Sequence, residues 1–300
     1  MSSSSSWPRN NVTHALSNLR TQVAAQLTAL SAPGAPLHRD SDQSTARLYP
    51  LGDIRRARFQ KETIDWYLGE ANPRLDGRSA IITAGPPGAG KSALLKTRIA
   101  DLDAYRIIDA DIIKDRIIKQ AIADGIYDHL LSTAPFVDGH GLAPRELSAL
   151  VHVESVRLAE AIRQMCTSVK ENVVIEGTLT WHLQGPNTFR ELADNDYFEV
   201  EVYGIDIDQE EAHISALDRW WKLRLEWTRG HHALGGRFTP DDAIDTCYPS
   251  TGAESFCTTN AKNFINTAIQ TADIPNVHVT IVRRSSIGPM EIIYERSYLQ

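Results

Sequence analysis

The sequence has few cysteines and no long apolar run. Its three cysteines are Cys166, Cys247 and Cys257, and no two of them form a C-x-x-C pair. A disulfide framework or a zinc site is therefore not expected, and such low cysteine usage is typical of a reducing compartment. No apolar stretch approaches the ~18 residues that span a bilayer, and the N-terminus lacks the apolar core of a signal peptide. These absences predict a cytoplasmic protein without a membrane partner.

The sequence also lacks an excess of basic residues. It has 31 Lys and Arg against 38 Asp and Glu, which gives a net charge of −7. A net acidic surface disfavours nucleic acids and anionic membranes, so neither is expected as a partner. Any anion that this chain binds must be held by a local positive site. A chain of 300 residues can bury a core without a disulfide or metal to staple it.

The first 46 residues differ in composition from the rest. Residues 2–6 are a run of serines, and residues 12–30 place apolar side chains three and four positions apart, which predicts a helix. Residues 31–46 are rich in Pro, Ser and Asp, which is typical of a linker. We therefore expect residues 1–46 to form a flexible arm with one helix, and residues 47–300 to form one larger domain.

Beyond residue 78, short apolar runs alternate with amphipathic segments. The apolar runs cover residues 80–83, 105–108, 173–175 and 200–203. The helix-like segments lie near residues 90–101, 112–124, 145–169 and 209–229. This alternation predicts an α/β fold in three layers, with a mainly parallel sheet covered by helices on both faces. Residues 277–283 and 291–295 flank a turn segment, which predicts a C-terminal antiparallel hairpin.

Eight residues between the first of these runs and the next helix match G-x-x-x-x-G-K-[ST]. They are Gly85, Pro86, Pro87, Gly88, Ala89, Gly90, Lys91 and Ser92. Glycines let backbone amides turn toward phosphate oxygens, Lys91 reaches the β- and γ-phosphates, and the Ser92 hydroxyl is offered to Mg²⁺. The motif predicts a site for ATP and Mg²⁺. The alternative is a glycine-rich strand-to-helix turn without a ligand.

A carboxylate follows the next apolar run. The order Ile107-Ile108-Asp109-Ala110-Asp111 places Asp111 at the carboxyl end of a strand, where ligands bind in open α/β sheets. In a small-molecule kinase this position suits a base for the acceptor hydroxyl. The alternative is that Asp111 only caps the following helix. The Asn-Lys-x-Asp stretch of guanine-specific GTPases is absent from the sequence.

Four blocks in this order and spacing resemble the zeta toxins over about residues 78–285. The blocks are residues 85–92; residues 108–111; Glu160, followed sixteen positions later by residues 175–178; and residues 218–220 with 236–240. Zeta toxins are P-loop kinases of toxin–antitoxin systems. The resemblance implies an ATP-dependent kinase that phosphorylates the 3′-hydroxyl of UDP-N-acetylglucosamine or a related UDP-amino sugar. It also implies action as a toxin and an antitoxin partner.

The resemblance also implies roles for single residues. Asp111 matches the catalytic base, and Arg219 and Arg237 match arginines that clamp the transferred phosphate beside a mobile lid at residues 230–236. Glu160 would contact the acceptor. At the end of the strand 173–175, Glu176 is a candidate for the water shell of Mg²⁺ and, with Thr178, for the acceptor site.

Two alternatives stay open. The first is a kinase of the same fold that acts on another small acceptor, such as a nucleotide, dinucleotide, sugar or antibiotic. The second is a nucleotide-gated regulatory module without phosphoryl transfer, which would have no need of Asp111.

Overall fold

The computed structural model describes residues 9–50, 52–251, 254–285 and 288–300, with side chains from residue 17 onward. The serine run at residues 2–6 lies outside the described residues. The strands are β1 (Ser79–Ala84), β2 (Arg106–Ile108), β3 (Val173–Ile175), β4 (Glu199–Asp206), β5 (Asn276–Arg283) and β6 (Glu291–Leu299). The longer helices are α1 (Arg9–Ser31), α3 (Ile54–Gly69), α4 (Lys91–Arg98), α5 (Ala110–Ala123), α7 (His152–Ser168), α8 (Gln184–Asp194), α9 (Gln209–Thr228) and α11 (Phe256–Thr271). Three short helices are α2 (Thr45–Leu48), α6 (Asp128–Leu131) and α10 (Asp241–Asp245).

The strands form one sheet in the order β2-β3-β1-β4-β5-β6. All neighbouring pairs are parallel except β5 and β6, which are antiparallel. The predicted α/β fold with a mainly parallel sheet and a C-terminal hairpin is confirmed. Because β1 lies beside β3, and β3 beside β2, the carboxyl ends of these three strands meet at one edge. That edge carries the phosphate loop, Glu176 and the segment with Asp111.

Alternating side chains of β1 serve the two faces of the sheet. Ala80 and Ile82 belong to the main hydrophobic core, whereas Ile81 packs with Leu95 and Val174 on the other face. A strand buried on both faces needs apolar residues at every position, which explains the continuous apolar run in the sequence. The sheet is thus the middle of three layers.

One predicted helix is divided. The segment expected to be helical over residues 145–169 forms a 3₁₀ turn (Pro144–Leu147) followed by α7. Between the two, the carbonyl of Leu150 accepts a hydrogen bond from the amide of Thr45 at 2.9 Å. The Leu150 carbonyl therefore accepts a hydrogen bond from α2 and not from a helix of its own segment.

The N-terminal arm packs on the larger domain. Val23, Leu27 and Leu37 are buried members of the main core. Arg20 forms an ion pair with Asp218 of α9. These contacts attach the arm firmly rather than loosely, and the division at residue 46 stays a prediction. No helix among the described residues is long and apolar enough to cross a membrane.

Candidate functional site

The phosphate loop joins β1 to α4. Gly88 has a φ of 84°. A Cβ at this position would lie 2.7 Å from the carbonyl oxygen of Ala212. Glycine is therefore required here for two reasons, the left-handed backbone and the close approach of α9. The loop lies at the N-terminus of α4, whose free amides and partial positive charge favour a bound anion.

Lys91 folds back on this loop. Its Nζ donates hydrogen bonds to the carbonyl oxygens of Gly85 at 2.8 Å and Pro86 at 3.2 Å. Burial lowers the pKa of Lys91, while the nearby Cys257 and Glu176 act in the opposite direction. The Lys91 amine thus lies at the loop on which phosphate would bind.

Ser92 and Glu176 face each other across the sheet edge. The Ser92 hydroxyl lies 3.3 and 3.4 Å from the two carboxylate oxygens of Glu176. Burial, followed by the charge of Asp109, raises the pKa of Glu176. A hydroxyl and a carboxylate are oxygen ligands of the kind that Mg²⁺ prefers. Among the described residues no group of three or more His, Cys, Asp or Glu could hold a metal. The pair therefore fits an ion held mainly by phosphates and water.

Asp109, and not Asp111, caps helix α5. The Asp109 side chain accepts a hydrogen bond from the amide of Asp111 at 2.8 Å. Asp111 lies in the first turn, so the alternative that it serves only as the cap is wrong. Burial alone would raise the pKa of Asp111, but the charges of Lys114 and Arg237 outweigh it and lower that pKa to about 2.

Arg237 binds two acidic residues of α5 at once. Its Nη1 lies 2.7 Å from Oδ2 of Asp111, and its Nη2 donates to Oδ1 of Asp115 at 2.9 Å. Nη2 also donates to the backbone oxygen of Asp111 at 2.6 Å. The arginine Nε is buried and has no hydrogen-bond partner among the described residues. The two Nη atoms thus carry the described hydrogen bonds of this guanidinium.

Arg145 holds the predicted lid in the same network. It binds both carboxylate oxygens of Asp115, at 2.9 and 2.6 Å, and the carbonyl oxygen of Gly235 at 3.2 Å. Nδ1 of His232 accepts hydrogen bonds from the amides of Leu234 and Gly235. A Cβ on Gly236 would collide with the backbone of Trp220. The segment 230–236 is thus held against Arg145 and α9.

The segment after Glu176 carries a strained residue. Buried Leu179 has a φ of 57°, a conformation that a bulky residue rarely adopts. Nδ2 of Asn260 donates to the Leu179 carbonyl at 2.7 Å. The carbonyl of Thr178 accepts from the amide of Gly85 at 3.1 Å. Thr178 is therefore bound directly to the phosphate loop.

Two predicted residues lie further out. Arg219 is exposed on α9, and its charge contributes to the lowered pKa values of Lys91 and Asp111. Glu160 lies on the exposed face of α7, and no described contact joins it to the other site residues. The structure brings together Lys91, Ser92, Glu176, Thr178, Asp111 and Arg237, but not Glu160. Its role in the acceptor site stays a prediction.

Three residues of this network were not predicted from the sequence: Lys114, Asp115 and Arg145. Asp111 and Asp115 are four positions apart, so they share one face of α5. That spacing was a usable signal for a second acidic partner of the arginine. Arg145 and Leu179 had no comparable signal in the sequence.

Comparisons with known proteins identify the family and the fold. The family model described as zeta toxin matches residues 67–285. A search of the curated proteins finds no match. Among solved structures, one from work on the PezAT chromosomal toxin–antitoxin system of Streptococcus pneumoniae is similar, with a TM-score of 0.51 and 15% identity over 82% of each chain.

Two further similar structures are complexes of AvrRxo1-ORF1 with AvrRxo1-ORF2. The complex with sulphate ions has a TM-score of 0.55 and 16% identity, over 84% of this chain and 72% of the other. The complex with ATP has a TM-score of 0.56 and 15% identity, over 84% and 76%. At this identity the likeness shows a shared fold.

Proposed function

The chain belongs to the zeta toxin family, and we propose from this premise that it is an ATP-dependent kinase of a small molecule that acts as a toxin. The observation that carries the proposal is the meeting of three strand ends. The phosphate loop after β1, Glu176 after β3 and Asp111 beyond β2 lie at one edge of the sheet. Donor phosphates, metal ligands and a base for the acceptor are all required at that place.

The residues divide the work of phosphoryl transfer. The loop amides and Lys91 would hold the β- and γ-phosphates of ATP, and Arg219 and Arg237 would neutralise charge on the transferred group. Ser92, and Glu176 through water, would hold Mg²⁺, which neutralises phosphate charge when bound. Support for ATP as donor comes from the similar AvrRxo1-ORF1 complex that was solved with ATP.

Asp111 would accept the proton of the acceptor hydroxyl. The hydroxyl oxygen then forms a bond to the γ-phosphorus, the bond from that phosphorus to the β-γ bridging oxygen breaks, and ADP leaves. Arg237 now neutralises Asp111, and its Nε has no partner among the described residues. On the approach to the transition state, the γ-phosphate would draw the guanidinium away and free the carboxylate to act as a base.

For the acceptor we propose the 3′-hydroxyl of UDP-N-acetylglucosamine or a related UDP-amino sugar. Family membership supports this choice. We also propose an antitoxin partner, because one similar structure comes from a toxin–antitoxin system. We propose residues 1–46 as the arm and residues 47–300 as the kinase domain. We also propose that the protein is located in the reducing interior of the cell.

The test of kinase activity uses the purified chain, ATP with Mg²⁺ and a panel of UDP-sugars, nucleosides and dinucleotides. Lys91→Ala should abolish transfer to every acceptor while the protein stays folded, because the described hydrogen bonds of Lys91 go to carbonyl oxygens of the loop. Lys96→Ala is the matched control, since Lys96 lies exposed on the same helix. Near-normal turnover of Lys91→Ala would contradict the phosphate-loop assignment.

A second experiment tests the acceptor in cells. Expression in a bacterial host should slow growth and convert UDP-amino sugars to their phosphorylated forms. Slowed growth with an unphosphorylated pool would leave the kinase in place and overturn the choice of acceptor. Transfer to a different member of the panel would then name the substrate.

A further inference from the structure

Two cysteines ten positions apart meet beside the phosphate loop. Cys247 follows α10 and Cys257 lies in the first turn of α11. Oγ1 of Thr180 lies 3.3 Å from the sulfur of Cys247 and 3.5 Å from that of Cys257. The amide of Phe256 donates to the carbonyl of Cys247 at 2.9 Å, which holds the two segments together. Both thiols are free and buried, and both sulfur atoms contact the same hydroxyl oxygen of Thr180.

The two thiols are chemically unequal. The hydrogen bond with Cys257 lowers the pKa of Cys247 to about 7, with help from Thr180 and Lys91 and against the effect of burial. The same bond, together with burial, raises the pKa of Cys257. A thiolate beside a protonated thiol is the arrangement of an attacking and a resolving cysteine.

A short chain of contacts leads from these thiols to the P-loop lysine. Oγ1 of Thr180 donates to Oγ1 of Thr178 at 2.9 Å. The carbonyl of Thr178 accepts from the amide of Gly85, whose own carbonyl accepts from Nζ of Lys91. Strained Leu179 lies within this chain. A shift at Thr180 would therefore be transmitted to the loop that holds phosphate.

We propose that Cys247 and Cys257 are an oxidation site, at which a hydroperoxide forms a disulfide that displaces Thr180 and disables the phosphate loop. The loss of ATP binding rests on the proposed function, whereas the disulfide does not. Closing the bond brings the sulfur atoms to about 2.05 Å. Both sulfur atoms now contact Oγ1 of Thr180, so their movement toward each other would change these contacts and shift Thr180.

The chemistry balances in two steps. The Cys247 thiolate attacks one oxygen of hydrogen peroxide, the O–O bond breaks, and the departing hydroxide takes a proton to leave as water, giving a sulfenic acid. The Cys257 sulfur then attacks the sulfenic sulfur, and the S–O bond breaks. The leaving hydroxide takes the Cys257 proton as a second water. Two thiols lose two electrons and two protons, and the peroxide is reduced to two waters.

The experiment treats the full chain with hydrogen peroxide and maps its peptides by mass spectrometry without reduction. We expect a linked Cys247–Cys257 peptide that has lost two hydrogen atoms and is separated again by dithiothreitol. If the loop of the oxidised protein is competent about a tenth of the time, its apparent affinity for a fluorescent ATP analogue falls about tenfold, and the affinity recovers on reduction. Cys247→Ser and Cys257→Ser should keep their affinity after peroxide.

Cys166→Ser is the matched control. Cys166 is also buried, but its pKa is raised to about 12 by burial and Glu171, so this variant should respond like the wild type. Absence of the linked peptide, or sulfinic acid at Cys247 alone, would overturn the oxidation site. A linked peptide with unchanged ATP binding would overturn the proposal that the disulfide disables the phosphate loop. If the reduced protein binds no ATP, the proposed function fails, and the peptide map still decides the disulfide. Where a serine variant does not fold, the wild-type map decides alone.

Discussion

Arg237 and Asp111 form an ion pair in which Nη1 lies 2.7 Å from Oδ2. The two residues are 126 positions apart, and the pair joins the lid to the helix that carries the proposed base. The ion pair keeps the Asp111 carboxylate ionised, and at the same time Arg237 occupies one of its oxygens. An arginine that leaves the carboxylate for a γ-phosphate would couple lid movement to the release of the base.

Asp111→Asn should keep ATP binding and lose transfer to the acceptor by about 10²–10⁴-fold, because the amide cannot accept the hydroxyl proton. The measurement is turnover with ATP affinity on the same sample. Asp53→Ala is a control at a true cap, where the side chain accepts from the amide of Arg56 at 2.8 Å. That variant should lose about 1 kcal/mol of stability and no activity. Equal turnover of Asp111→Asn and wild type would contradict the role of base.

Arg237→Lys should cut turnover strongly with little change in ATP affinity. The planar fork of arginine spans Asp111 and Asp115 and suits two phosphate oxygens, whereas a lysine offers a single charged point. Because the phosphate contact forms mainly in the transition state, kcat rather than binding should fall. Arg229→Lys, at an exposed position beside Glu226, should leave turnover and ATP affinity unchanged. A large loss of ATP affinity in Arg237→Lys would place the arginine in ground-state binding instead.

Leu27→Ala should destabilise the protein by about 2–5 kcal/mol, because Leu27 is fully buried in the main core. Thr28→Ala, exposed on the next position of the same helix, should cost little. Urea denaturation of both variants checks this. On the same grounds, removal of residues 1–46 should reduce the yield of folded protein. A stable, active truncated chain would show that the arm is dispensable for the core.

Acidification should destabilise the protein partly through His152. Burial, followed by the charges of Lys114 and Arg39, lowers the pKa of His152 from 6.5 to about 4. The unfolded chain therefore takes up this proton first, so stability falls as the pH drops from about 6.5 to about 4. The free energy of unfolding of His152→Gln should depend less on pH in this window. His182→Gln, at an exposed position, is the control. Parallel pH curves for His152→Gln and wild type would contradict the assignment.

The sequence by itself determined the strands β1 to β6, several of the helices and the phosphate loop, but not helices α8 and α11. The alternation of runs, the Gly85 to Ser92 motif and the C-terminal hairpin are local patterns, and local patterns depend on neighbours that are close along the chain. Asp111 could also be predicted from the sequence. A carboxylate that follows a strand lies at the ligand-binding edge of a parallel sheet, whatever the order of the strands.

Only the tertiary structure decided which distant residues meet. The order β2-β3-β1-β4 brings Glu176 to Ser92, and the closed lid brings Arg237 to Asp111 and Asp115. The same packing buries part of the arm, leaves Glu160 on an exposed face and joins Cys247, Cys257 and Thr180. Sequence spacing places Asp111 and Asp115 on one face of α5, but it does not show which distant residue meets them. Such contacts follow from how whole helices and strands pack rather than from the periodicity of any one of them.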